Sequence, residues 1–123
     1  MVLVDTSVWI SLYRKEAAEI GQKMWALVTG NQAAFCGQVW VEYLGGFRKE
    51  GERRKHEKAL KEFPFLETSR SAFDQAADLL AQYPFLGSGD AIIAATAIDR
   101  KTPLFTLDKG FRKLAPEGLV LFE

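Results

Sequence analysis

Four acidic residues carry most of the chemical information in this chain: Asp5, Glu42, Asp90 and Asp108. Each follows or interrupts an apolar segment, in MVLVD, QVWVE, DAIIAATAI and PLFTLD, which predicts a place at the rim of the core and off the outer helix faces. Carboxylates gathered in a low-dielectric setting repel by about 4 kcal/mol per pair at ~4 Å and an effective dielectric of ~20. A chain that carries four of them protonates some, keeps them apart, or neutralises them with a divalent cation. Oxygen ligands of this type suit Mg2+ or Mn2+. Zinc is disfavoured, because one cysteine and one histidine cannot build its usual nitrogen or sulfur shell. The acids therefore predict a magnesium or manganese centre of the kind nucleases use.

Elements must bring these acids together. VLV at the start reads as a buried parallel strand. Asp5, Thr6 and Ser7 then offer capping chemistry to a helix through VWISLY. A second helix over 16–29 places Ile20, Met24, Leu27 and Val28 on one face, and Gly30-Asn31 ends it. AAFCG is a second strand, followed by a helix with the stripe Val39, Trp40, Tyr43, Leu44 and Phe47. A charged helix stops at Pro64, and FLE is a third strand. Phe73, Ala76, Ala77 and Leu80 form the stripe of the next helix, with Asp74 and Asp78 opposite. Ser88 or Gly89 caps the small-residue helix DAIIAATAIDRK. PLFTL, a short helix at FRKL and a terminal strand LVLF complete the chain.

Strands alternate with helices throughout, which predicts an α/β fold: a mainly parallel five-stranded sheet with helices on both faces, in a single domain over 1–123. In such a sheet ligands bind beyond the carboxyl ends of the strands, where strand order reverses. Asp5 and Asp108 end strands, Glu42 lies early in the helix after the second strand, and Asp90 opens the helix before the fourth. All four fall on one edge. Singly, Asp5 could be a helix cap, Asp90 a first-turn acid favoured by the helix dipole, and Asp108 a turn residue. Glu42 resists such a reading because it interrupts bulky apolar packing.

Composition bounds the function classes. The chain has 123 residues, 48% hydrophobic and 26% charged, enough for one core. The lone Cys36 in AAFCG reads as a buried thiol and excludes a disulfide framework. No apolar stretch approaches the ~20 residues that span a bilayer, and MVLVDTSVW lacks a basic leader, so the expected location is cytoplasmic, with no membrane partner. Net charge is zero from 16 basic and 16 acidic residues, but Arg48, Lys49, Arg53, Arg54, Lys55, Lys58 and Lys61 crowd one segment. Taken alone, that segment reads as a solvated helix laced with charge pairs. His56 sits within it, at a surface position unsuited to a catalytic triad. No phosphate-cradling glycine loop is present. Trp9, Trp25 and Trp40 fall at core spacing.

With these residues in place, the chain resembles the PIN-domain ribonucleases, and among them the small VapC-type toxins of toxin–antitoxin pairs. The matching segments are VDTSVWI at 4–10, the glutamate of VWVEYL at 39–44, GDAIIAATAI at 89–98 and TLDKGF at 106–111. The resemblance spans essentially the whole chain in order. It implies that Asp5, Glu42, Asp90 and Asp108 form the metal pocket for Mg2+ (or Mn2+), with Thr6 or Ser7 assisting an aspartate or holding the scissile phosphate. It implies an RNA substrate whose backbone is held by Lys109, Arg112 and the basic segment that includes Arg53 and Arg54. A small antitoxin partner and a homodimer are also implied. Many relatives carry a further acid two positions after the fourth, where this chain has Gly110, so a second ion is in question.

Three other readings compete. One is a housekeeping RNA-processing or DNA-directed PIN nuclease. Another, of a different class, is a receiver-like phospho-acceptor domain; it wants paired acids near the first strand's end and a lone aspartate after the third, where this chain has a single Asp5 and Glu67-Thr68. The third is a non-catalytic binding module, which the presence of all four acids disfavours.

Overall fold

A computed structural model describes residues 1–123. Four strands, β1 (Val2–Val4), β2 (Ala33–Cys36), β3 (Phe65–Leu66) and β4 (Leu104–Phe105), form a sheet in the order β3-β2-β1-β4. Every pairing is parallel, with Leu3 of β1 opposite Ala34 of β2 and Leu104 of β4. Successive strand residues face opposite sides of a sheet, so a strand buried at every position is covered on both faces. β1, β2 and β4 meet this condition throughout. β3 lies at the edge, where Phe65 is exposed.

The covering helices are α1 (Thr6–Arg14), α2 (Ala18–Thr29), α3 (Gly37–Gly45), α4 (Glu50–Leu60), α5 (Arg70–Gln82) and α6 (Ser88–Asp99), followed by a 3-10 helix, η1 (Lys109–Glu117). α6 is apolar on nearly all sides and is accordingly buried, with Ala91, Ile93, Ala94, Ala95, Thr96 and Ala97 inside. Its small side chains admit the close packing of α5. One cluster of 27 buried residues draws on every element except β3. Cys36 is fully buried within it, as its apolar setting predicts.

The strand order separates two readings. A receiver-like sheet runs 2-1-3-4-5, with its third strand beside the first. Here β4 lies beside β1 and β3 sits outermost. The order in which strands are added therefore reverses between β1 and β4, and the crevice expected at such a switch point opens beyond Val4 and Phe105. That is where Asp5 lies, its N–H donating to the Phe105 carbonyl at 2.9 Å.

Several expectations need correction. The fifth strand shrinks to one isolated parallel bridge, Leu104–Leu121, because β4 offers only two residues of edge. The N-cap of α6 is Gly87, with Ser88 and Gly89 already helical. FRKL belongs to a longer 3-10 helix. The buried stripe of α5 is Ala72, Ala76 and Leu79, while Phe73, Ala77 and Leu80 face outward. Alanine can line either side of such a helix, so apolarity alone misplaces the stripe by one residue. On α2, Val28 is exposed, and Trp25 is 70% exposed and no part of the core. His56 is no bare surface residue: its ring stacks on Phe47 at 4.2 Å, and its Nδ1 lies 3.2 Å from the Tyr43 hydroxyl. The remainder of α4 carries the expected charge pairs, Arg54–Glu50 and Lys61–Glu57.

Candidate active site

Asp5 is the most tightly built of the four acids. It is only 4% exposed, at the N-cap of α1, yet its carboxylate makes no capping bond. Its Oδ2 instead accepts hydrogen bonds from Ser7 Oγ at 2.8 Å and Thr106 Oγ1 at 2.7 Å. Ser7 Oγ in turn accepts from the Leu107 N–H at 3.1 Å, and Thr106 Oγ1 accepts from the Asp108 N–H at 3.0 Å. Two hydroxyls thus stitch the end of β1 to the segment after β4 and aim Asp5 into the crevice. Burial raises the Asp5 carboxyl above its ordinary 3.8, against the Thr106, Ser7 and Thr6 hydrogen bonds that favour its charged form, and the Glu42 carboxylate adds a smaller upward push.

Glu42 projects from α3 and is exposed, contrary to the core-rim expectation. It is nevertheless fixed. Thr6 Oγ1 donates to its Oε1 at 2.7 Å, and Gln38, one turn earlier on α3, donates to its Oε2 at 2.9 Å. Thr6 was expected to assist an aspartate or the phosphate; its hydroxyl is given to Glu42, and Ser7 serves Asp5. Asp108 is also exposed and does not end β4. It caps η1, with Oδ1 accepting from the Gly110 N–H at 2.8 Å. A side chain at Gly110 would bring Cβ to 3.1 Å from that oxygen, so glycine leaves room for the capped carboxylate.

Asp90 is half-buried in the first turn of α6. Its carboxyl is pushed up to about 6, first by burial and then by the charges of Asp5, Asp108 and Glu42. Asp90 thus stands within the field of the other three acids. None of the four pairs with a cation; the ion pairs of the protein, Lys23–Glu19, Arg54–Glu50 and Lys61–Glu57, lie elsewhere. The carboxylates do not close into a finished cage, since no three acidic, histidine or cysteine side chains gather closely enough to hold an ion. The two observations are compatible, because Coulomb coupling reaches further than coordination and like charges without a counter-ion stand apart. The donor chemistry, hard carboxylate oxygens with uncompensated charge, fits Mg2+ or Mn2+ and lacks the ligands zinc prefers.

Two clefts are each lined by one of the acids. Asp108 and Thr106 share one of ≈ 240 Å³ with Lys109, Arg112 and Lys23. Glu42 forms a wall of the other, ≈ 350 Å³, which includes Arg14, Arg48 and Lys49. Lys109 and Arg112 share their cleft with Asp108. Arg53 and Arg54 line neither cleft, and Arg54 is engaged by Glu50 at 2.8 Å.

The residues that sequence reasoning missed are Thr106, Gln38 and Gly89. Gly89 precedes Asp90 and meets the Glu42 carboxylate so closely that any Cβ there would collide with Oε2. Only the far end of a flexible side chain would have to move. Gly89→Ala is therefore expected to change stability by less than about 1 kcal/mol, the helix propensity of alanine offsetting the displacement. It should push Glu42 off Thr6 and Gln38. Melting curves of variant and wild type check this; a loss well beyond about 1 kcal/mol would show that Glu42 is not displaced so cheaply.

The PIN domain family model matches residues 2–116, and the chain belongs to the PIN domain family. No curated protein matches the sequence. Among solved structures, a toxin–antitoxin complex from Klebsiella pneumoniae is 28% identical, with a TM-score of 0.79 over 98% of this chain and 96% of that one. VapBC2 from Rickettsia felis, bound to a DNA fragment from its promoter, is 19% identical with a TM-score of 0.80, covering 99% and 98% of the two chains. The Mycobacterium tuberculosis toxin VapC20, described as cleaving the sarcin–ricin loop, is 18% identical with a TM-score of 0.75 over 100% and 99%. At such identities the last two establish a shared fold.

Proposed function

We propose that this protein is a Mg2+- or Mn2+-dependent endoribonuclease and the toxin of a VapBC-type toxin–antitoxin pair, its single PIN-like nuclease domain spanning residues 1–123. The observation that carries the reading is Asp90, a half-buried carboxylate in the field of Asp5, Asp108 and Glu42 with no cationic partner at any of them. Further support comes from the solved structures of similar fold, which include toxin–antitoxin complexes and an RNA-cleaving toxin. Asp5, Asp90 and Asp108 would hold the ion, directly or through water, and Glu42 would complete the shell or orient the attacking water. The chemistry supplied there would be polarisation of the phosphate and a more acidic water. Ser7 and Thr106 keep Asp5 aimed at the crevice; Thr6 and Gln38 do the same for Glu42. Lys109 and Arg112 hold the RNA backbone on the Asp108 side. Outward apolar residues such as Trp25, Val41 and Phe73 supply surface for the antitoxin and for a second copy of the chain. No helix is long and apolar enough to cross a membrane, in keeping with cytoplasmic action.

Induced expression should arrest growth, and co-expression of the small protein encoded beside it should relieve the arrest. The purified protein should cut single-stranded RNA with Mg2+ or Mn2+ and leave it intact in EDTA. Cleavage in metal without growth arrest would favour housekeeping processing; a protein that shows neither effect would overturn the nuclease reading.

A further inference from the structure

The Glu42-side cleft has a composition that the metal site does not explain. Its walls come from α1, α3 and the segment entering α4. Tyr13 and Phe47 supply aromatic surface, their rings edge-to-face at 5.1 Å, and Tyr13 is 45% exposed. Arg14, Arg48 and Lys49 stand at the same cleft, and none of them takes part in an ion pair. Its two acids are both occupied, Glu52 by the Tyr13 hydroxyl and Glu42 by Thr6 and Gln38. At ≈ 350 Å³ it has the size of a small-ligand site. A second basic cleft, with Lys109 and Arg112, is lined by Asp108. A strand crossing the acids from one cleft to the other would keep its phosphates on cations at both ends.

We propose that this cleft is a nucleotide subsite for single-stranded RNA, seating a nucleotide beside the one cut, its phosphate on Arg14, Arg48 and Lys49 and its base against Tyr13 and Phe47. The inference rests on the ribonuclease reading and specifies where the substrate lies. Free cations next to the exposed Tyr13 ring and the half-buried Phe47 match the two recurring parts of single-strand recognition, an electropositive track and a stacking surface. A basic protein segment would meet three unpaired cations. An acidic one would satisfy those cations but leave the aromatic wall without a planar partner.

The test is fluorescence anisotropy with a labelled mixed-sequence single-stranded RNA in EDTA, where binding is read without metal. Arg48→Gln/Lys49→Gln should bind about tenfold more weakly and lose about 1.4 from the slope of log affinity against log salt, ~0.7 for each phosphate contact removed. Tyr13→Ala should weaken binding about tenfold, whereas Tyr13→Phe, which keeps the ring and frees only the Glu52 carboxylate, should lose less than about threefold. Arg53→Gln/Arg54→Gln, outside the cleft, should change affinity less than about twofold. The proposal is overturned if the wild type binds no RNA, if the two double variants behave alike, or if a glutamate-rich peptide displaces RNA as well as unlabelled RNA does. Normal RNA binding without metal-dependent cleavage would defeat the catalytic reading and leave the subsite standing. RNA cutting that persists in EDTA would also defeat the metal reading alone.

Discussion

Asp90→Asn is expected to lower metal-dependent RNA cleavage by about 10²–10³-fold while making the metal-free protein more stable. If Asp90 is the proposed ligand, removing it takes away several kcal/mol of transition-state charge stabilisation, and each 1.4 kcal/mol is tenfold in rate. The stability gain follows from the same carboxylate. Its folded value of about 6 lies above its ordinary 3.8, so the folded state holds the proton more tightly than the unfolded chain. The sign is thus a penalty, full above pH 6, shrinking as pH falls from 6 towards 3.8, and absent below that. Because Asp90 is only half-buried, solvent screening reduces the penalty to about 1–2 kcal/mol. Asparagine removes it, so the variant should melt about 3–8 °C higher at pH 7.5 in EDTA and no higher than wild type near pH 3.5. A melting difference that stayed constant across this range would mean that the carboxylate's titration is not responsible. Undiminished cleavage would dismiss Asp90 from the site.

Mg2+ or Mn2+ should stabilise the wild-type protein, and Asp5→Asn should abolish that response along with cleavage. A ligand bound by the folded state alone contributes about 2.7 kcal/mol at a hundredfold excess over its dissociation constant. For a domain of this size the shift is roughly 8–15 °C in melting temperature. Asp5→Asn keeps an oxygen acceptor for Ser7 and Thr106, so the fold should survive, with the metal-dependent increment gone. Calorimetric titration with Mn2+ measures the loss directly. An Asp5→Asn protein that still gained the full thermal shift would place the ion elsewhere.

How much of this was legible can be followed residue by residue. β1 and β2 were readable because continuous β-branched and small apolar runs suit strands buried on both faces. α6 was readable from its small residues, and Asp5 and Asp90 from their places beside those elements. The α5 stripe was not: with Phe73, Leu79, Leu80 and four alanines in one helix, several faces are apolar, and only docking against α6 selects Ala72, Ala76 and Leu79. Trp25 follows the same logic, since a tryptophan at helical spacing reads as core until the neighbour it needs proves absent. Thr106, Gln38 and Gly89 are polar or small residues in unremarkable settings. Their roles arise from contacts with Asp5 and Glu42 across as many as 101 positions of sequence.

The order of amino acids by itself determined the alternation of strand and helix, the four acids and their common edge, because hydrophobic period and residue type are local properties. Tertiary structure alone decided that β4 lies beside β1, that Thr6 serves Glu42 while Ser7 and Thr106 serve Asp5, and that Asp90 receives the field of all three other acids. Those outcomes depend on distances between remote segments, and electrostatic and hydrogen-bond energies are set by distance.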